Sequence, residues 1–135
     1  MKYRSEKIER VFSDSNSTYI YVVAEIGINH NGSLEEALRL VDASHEAGVD
    51  AVKFQKRKLT NIYSEKILND PNSAEWNFDY LIPLLKDFEL SEDDYHVIRD
   101  HCDELNLDLI VTPFDQESAE FVNSLGVVAF KISSA

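Results

Sequence analysis

Four short runs of β-branched and aromatic residues alternate with helix signals along this chain, and that order narrows the fold more than any other feature. Tyr19–Ala24 (YIYVVA), Val49–Gln55 (VDAVKFQ), Leu107–Phe114 (LDLIVTPF) and 127–134 (VVAFKISS) read as strands. The first is nearly continuous apolar sequence, the pattern of a strand covered on both faces. After it, Ser33 with Glu36 predicts a capping box, and Leu34, Ala37, Leu38, Val41 and Ala47 supply an apolar helical stripe that Gly48 is placed to end. Ser91 with Asp94 predicts a second helix start, with a stripe through Tyr95, Ile98, Cys102 and Leu105. Asp115 is placed to cap a third helix carrying Ala119, Phe121, Val122 and Leu125, closed by Gly126.

The resulting order, βαβαβαβ, is that of parallel strands joined by right-handed crossovers. The connection from Lys56 to Leu90 is too long for a simple turn, so it is expected to be a functional lid or to hold structure of its own. A short helix over 78–86, limited by Pro83, fits within it. No internal repeat beyond the βα unit, low-complexity tract or interdomain linker interrupts the 135 residues.

Composition then removes whole classes of function. With 44% hydrophobic residues the chain reads as soluble and globular, with one core. Twenty-five Asp and Glu against 13 Lys and Arg give a formal charge of −12, which disfavours nucleic acid and anionic membrane surfaces as partners. Any anion must be captured locally. The single cysteine, Cys102, lies in a helical pattern and has no partner for an intramolecular disulfide, which suits a reducing compartment. The charged start MKYRSEKIER lacks a signal-peptide core, no segment reaches membrane-span length, and a cytoplasmic location is expected.

Polar residues recur at the carboxyl end of every strand run. Glu25 follows the first, Lys53 and Gln55 end the second, Thr112 stands near the end of the third, and Lys131, Ser133 and Ser134 end the fourth. In parallel α/β folds that end is where ligands bind. Lysines supply charge and hydroxyls supply donors, so the set points to a phosphate and a carboxylate, aided by helix amino termini after Asn31-Gly32 and Phe114-Asp115. Glu25 is the costly member, because a carboxylate after a buried run needs pairing or exposure. It is expected to be balanced by the lysines, to orient one of them, to accept a substrate hydroxyl or to move a proton. A structural ion pair is the alternative. His30, in the turn INHNG, reads as a hydrogen-bonding or exposed residue rather than a metal ligand. His45, His96 and His101 fall on helices without ligand spacing.

The motifs AEIGINHNG, VKFQ, ELSEDD, TPFD and FKISS, in this order, resemble the amino-terminal half of the sialic acid synthase family from about Tyr19 onward. The family condenses phosphoenolpyruvate with an N-acetylated sugar, typically N-acetylmannosamine, to make nonulosonic acids such as N-acetylneuraminate. The resemblance implies that Lys53, Thr112, Lys131 and Ser134 bind phosphoenolpyruvate, that Gln55 contacts the acceptor sugar, and that Glu25 lies in the same active site. It also implies a divalent metal, Mn2+ or Mg2+, held by a pair of histidines on later strands, and a carboxyl-terminal antifreeze-like domain.

These implications set the expected organisation. Residues 1–18 are an amino-terminal extension and 19–135 the first half of a phosphoenolpyruvate-dependent barrel of the TIM type, since a complete (β/α)8 barrel takes about 250 residues. The metal ligands would then lie outside this chain, the isolated chain would be inactive as a synthase, and its open strand edges would favour self-association, so that a homo-oligomer is expected. Two alternatives remain: another phosphate-binding barrel, such as a Schiff-base aldolase using Lys53 or Lys131, and a non-catalytic half-barrel module.

Overall fold

The computed structural model describes residues 5–13, 18–73 and 78–133. Strands β1 (Val23–Gly27), β2 (Ala51–Lys56), β3 (Asp108–Pro113) and β4 (Ala129–Phe130) form one sheet in the order β1-β2-β3-β4. All pairings are parallel. Each strand is therefore added beside the last in one direction, without the reversal that marks a doubly wound sheet. Helices α2 (Leu34–Glu46), α6 (Glu92–Glu104) and α7 (Gln116–Leu125) pack with the sheet in a single core. This is the expected α/β class, a parallel sheet of the (β/α) barrel type with four strands.

The core is built by the alternation of each strand. Val52 and Phe54 of β2 and Leu109 and Val111 of β3 meet Ala37 and Val41 of α2, Tyr95, Ile98 and Cys102 of α6, and Phe121, Val122 and Leu125 of α7. Phe54 meets Tyr95 edge-on at 6.3 Å between centroids, and Tyr95 meets Phe121 at 6.0 Å, so aromatic rings tie sheet to helices. Burial pushes the Cys102 thiol up to about 12, which makes it a core residue and not a nucleophile. Ala47, placed on the predicted stripe, is exposed because α2 has ended one residue earlier.

The caps follow local chemistry with one exception. Ser91 and Asp94 form the complete reciprocal box, and Asp115 accepts from the Ser118 N–H. At Ser33 only half the box forms: its hydroxyl accepts from the Glu36 N–H at 3.3 Å, while the Glu36 carboxylate pairs with Arg39 at 3.0 Å. The long connection holds α3 (Leu59–Ile62), α4 (Glu65–Asn69), a 3-10 turn (Pro71–Ser73) and α5 (Phe78–Asp87). Pro83 does not limit α5 but sits inside it. It removes one ladder hydrogen bond, and the apolar face that buries Ile82 and Leu85 carries the helix on to Asp87.

Strand β1 differs most from expectation. The run Tyr19–Tyr21 lies outside the sheet, and the strand begins at Val23. Ile20, Val22 and Val23 are exposed, not covered on both faces, because β1 pairs only with β2 among the described residues. Polar contacts hold the segment instead. Tyr19 donates to Asp50 Oδ1, Tyr21 donates to Asp108 Oδ2 at 2.6 Å, and the Val22 N–H donates to Asp50 Oδ2 at 2.8 Å. Burial opposes charge on Asp50, but the Tyr19 hydroxyl and the Val22 N–H, with Lys7 and Arg10 nearby, hold its carboxyl below the usual range. The amino-terminal segment contains a helix, α1 (Glu6–Ser13), clasped to the same end of the sheet. Ser5 donates to Asp108, and Lys7 Nζ donates to the Asn106 carbonyl at 2.5 Å.

Two glycines test how the loops are held. Both are left-handed, Gly32 at φ +77° and Gly48 at φ +74°, but a Cβ on Gly32 would stand 2.2 Å from the Asp87 carbonyl oxygen and one on Gly48 would meet nothing within 4 Å. Gly48→Ala is expected to cost about 1 kcal/mol, the left-handed penalty alone. Gly32→Ala adds a backbone collision and is expected to cost about 3 kcal/mol or more. Urea denaturation of the two variants measures the difference, and equal losses would show that α5 does not press on the loop after β1.

Candidate active site

The face of β2 turned away from the helices carries Lys53 and Gln55. In register, Lys53 stands beside Glu25 of β1 and Ile110 of β3, and Gln55 beside Thr112. A bulge places the glutamate: pairing passes from Glu25↔Lys53 directly to Gly27↔Phe54, so Ile26 is the extra residue. Gly27 takes φ +59° to make the bend. Ile26 turns into the core while Glu25 remains on the opposite face.

Lys53 Nζ lies 2.5 Å from Glu25 Oε2 and 3.4 Å from Thr112 Oγ1. The lysine side chain is 12% exposed and that of the glutamate 55%, while Thr112 is buried at 2%. Glu25 is thus balanced by one lysine, not two, and reaches solvent, which resolves the cost of a carboxylate at this point. The group offers one ammonium, one hydroxyl, one carboxylate and the half-buried carboxamide of Gln55. Such a set has the chemistry to hold an anion and to orient polar groups beside it.

Lys131 lies one residue beyond β4, with its backbone N–H donating to the Val111 carbonyl at 3.1 Å. It stands at the same end of the sheet, but its side chain is exposed and no hydrogen bond or ion pair joins it to Glu25, Lys53 or Thr112. Only Ala129 and Phe130 pair as β4, a shorter strand than expected. Ser134 lies outside the described residues. Among the described residues no three His, Cys, Asp or Glu side chains gather to hold a metal ion, and the ammonium beside Glu25 suits an anion rather than a cation.

Sequence reasoning missed the layer next to these groups. Lys56, 8% exposed, donates to Glu89 Oε1 and to the Leu90 carbonyl, both at 2.8 Å. Arg57, 7% exposed, lies with Cζ 4.5 Å from the Phe114 ring centroid and donates from Nη2 to Gln55 Oε1. Tyr95 donates to the Gln55 backbone carbonyl at 2.5 Å. A cleft of about 620 Å3, lined by Lys56, Arg57, Lys58, Lys86, Glu89 and Ser91 among others, lies beside this layer and is not lined by Lys53 or Thr112. The compact basic run KFQKRK was the available signal, but the carboxylate that organises it is more than 30 residues away.

Of the two readings of His30, the hydrogen-bonding one holds and the exposed one does not: it is buried at 1%. It stacks on Phe54 at 5.9 Å, and its Nδ1 accepts from the Gly32 N–H at 3.1 Å. Nε2 makes no hydrogen bond of good geometry, although the Gly27 backbone is near enough to act on the ring. Burial dominates, with the Arg57 charge adding to it, and holds the imidazole pKa below its ordinary value.

Two experiments follow from this geometry. Glu25→Gln leaves a largely buried ammonium without its anion, and a loss of about 1–2 kcal/mol is expected, recovered in part by adding Lys53→Met. A double-mutant cycle in urea measures it, and additive losses would show that the pair contributes nothing. For His30, the folded state resists protonation that the unfolded state accepts, so stability is present above the unfolded pKa and is lost as pH falls below about 6.5. The urea midpoint should therefore drop between about pH 7 and pH 5, and less steeply in His30→Asn, which keeps the acceptor for Gly32 but does not titrate there.

Comparison with known proteins places these residues in context. The profile of the NeuB family matches residues 40–135. An N,N'-diacetyllegionaminic acid synthase of Legionella pneumophila is 39% identical over 134 residues, covering 96% of this chain and 37% of that protein. An N-acetylneuraminate-9-phosphate synthase of Drosophila melanogaster is 34% identical over 116 residues, 85% of this chain and 31% of that protein. Among solved structures, the spore coat polysaccharide biosynthesis protein SpsE of Bacillus subtilis superposes with a TM-score of 0.61 at 34% identity, over 84% of this chain and 29% of that one. The N-acetylneuraminic acid synthetase of Leptospira borgpetersenii superposes with a TM-score of 0.70 over 88% of this chain and 39% of that one, a likeness of fold at 24% identity. The chain spans a little over a third of the length of the first of these relatives and under a third of the second.

Proposed function

The chain belongs to the NeuB family, and from that premise we propose that it is the phosphoenolpyruvate-binding part of a nonulosonic acid synthase. The observation that carries the reading is the Glu25–Lys53–Thr112 group at the carboxyl end of adjacent parallel strands. In this reading the Lys53 ammonium and Thr112 hydroxyl hold the anionic groups of phosphoenolpyruvate, with Lys131 and Ser134 adding to the same anion site. Glu25 keeps Lys53 fixed. Gln55 faces the acceptor, an N-acetylated sugar such as N-acetylmannosamine, its phosphorylated form or a bacillosamine-derived relative.

The reaction proposed is addition of phosphoenolpyruvate C3 to the sugar aldehyde carbon, with the aldehyde oxygen taking a proton. Water adds at C2, the C2–O bond breaks, and inorganic phosphate leaves with the bonding pair. A fixed ammonium is suited to this because the charge on the departing phosphate grows beside it, which is where preorganised positive charge lowers a barrier. A divalent metal, Mn2+ or Mg2+, belongs to the same proposal; its ligands would lie on later strands, and it would polarise the sugar aldehyde. The division into residues 1–18 as extension and 19–135 as the first half of a barrel is part of the same proposal, as are a cytoplasmic location and a homo-oligomer.

The test is phosphate release from phosphoenolpyruvate, measured on the full natural protein with Mn2+ or Mg2+ supplied and each acceptor in turn. Lys53→Met is expected to lower kcat/KM for phosphoenolpyruvate by about 100-fold, the loss of one preorganised charge. An unchanged value would remove Lys53 from the anion site. No phosphate release with any N-acetylated acceptor would overturn the reading as a synthase.

A further inference from the structure

Arg57 is the least expected side chain in this end of the molecule. Its charge is buried, and its fork is not used in the way arginine is commonly used. A bidentate pairing with a carboxylate is the favoured arrangement. Glu89 is the carboxylate at hand, yet one of its oxygens is taken by Lys56 at 2.8 Å and the other stands 3.9 Å from Arg57 Nε. Nη2 instead donates to a neutral carboxamide, at Gln55 Oε1. Three restraints fix the guanidinium for that contact: the Phe114 ring beneath Cζ at 4.5 Å, the Glu89 charge, and the backbone N–H of Arg57 donating to Glu89 Oε1 at 3.4 Å.

The chemistry of arginine then fixes the orientation of Gln55. A guanidinium has donors only, so the atom it meets on the carboxamide must be the oxygen; a flipped amide would set N–H against N–H. The amide nitrogen is turned the other way. It lies 3.4 Å from where a Cβ on Gly27 would stand, and Glu25 Oε1 lies 3.3 Å from the same point. A side chain at 27 would crowd both atoms; glycine leaves them room, and the nitrogen of Gln55 stands on that side, beside the Glu25–Lys53 pair.

We propose that Arg57 is a positioning residue that locks the Gln55 carboxamide with its oxygen held outside and its NH2 turned into the site, so that this position reads a hydrogen-bond acceptor on the ligand. The ligand atom is an oxygen, of the hydroxyl, aldehyde or acetamido class found on an N-acetylated sugar, and a ligand presenting an ammonium there is excluded. The ligand class rests on the reading of Gln55 as the acceptor-sugar contact; the lock on the amide does not.

The experiment has one arm for each part. Nuclear magnetic resonance of the 15N-labelled protein without ligand should show Overhauser contacts from the Gln55 NH2 to Gly27, lost in Arg57→Met and kept in Arg57→Lys, whose ammonium is also a donor only. Persistence of those contacts in a folded Arg57→Met protein would overturn the lock. Kinetically, Arg57→Met should raise KM for the N-acetylated sugar about tenfold, the worth of one oriented hydrogen bond, while KM for phosphoenolpyruvate changes little. Arg57→Lys should recover most of that loss. Equal rises in both KM values would make Arg57 a merely structural residue and overturn the proposal. Intact Gln55–Gly27 contacts together with no sugar turnover by the full natural protein, Mn2+ or Mg2+ supplied, would sink the synthase reading and the ligand class while upholding the lock.

Discussion

Strand β2 is the element on which the rest of the molecule depends, because its two faces are given to opposite purposes. Val52 and Phe54 are fully buried against the helices, while Lys53 and Gln55, between and after them, stand on the other face beside Glu25 and Thr112. A slip of one residue would exchange the faces, placing an ammonium in the aromatic core and a phenyl ring at the site. The hydrophobic pattern that stabilises the fold is therefore also what aims the polar groups. Thr112 shows the same coupling on β3, one residue after the buried Val111. The bulge at Ile26 shows it on β1, where one extra residue lets the core keep an isoleucine without moving the glutamate.

An acidic chain has to guard the few cations it places at a site. Each basic residue of the β2 end has a carboxylate of its own or shares one: Lys53 with Glu25, Lys56 and Arg57 with Glu89, Lys58 with Glu117. The arrangement is graded by burial. Lys58 and Glu117 are both half exposed and contribute little, as surface pairs do. Lys56 and Glu89 are mostly buried, and removing either would strand the other. Lys53 is between these cases, buried itself but paired to a carboxylate that reaches water.

Much of this was legible because it is local. Caps at Ser91 and Asp115, the stop at Gly126 and the alternation of β2 depend on neighbours within four residues, and they stand where the sequence placed them. Glu25, Lys53, Gln55 and Thr112 were legible as a set because strand ends are legible. What escaped depends on distance along the chain. The exposure of Ile20 and Val22 follows from their lying outside the sheet, the half box at Ser33 from Arg39 claiming Glu36, and the continuation of α5 through Pro83 from the packing of Ile82 and Leu85. Helix α1 was read only as a charged terminus, since its docking partners are residues 50 and 106–108. Arg57 was passed over for the same reason: the Glu89 and Phe114 that restrain it come from the far side of the long connection.

The clasp of α1 also orders events in time. Ser5 and its acceptor Asp108 are separated by 103 positions, and Lys7 and its acceptor Asn106 by 99. Ser5 and Lys7 thus find these hydrogen-bond partners only after the start of β3 has been synthesised, which at about 5–20 residues per second is a wait of roughly 5–20 seconds. Closing so long a loop earns no contact until its ends meet, so the clasp belongs to the last steps of assembly and not to the nucleus. During that interval Tyr19 and the Val22 N–H can already meet Asp50, while Tyr21, Ser5 and Lys7 still lack the acceptors that residues 106–108 bring.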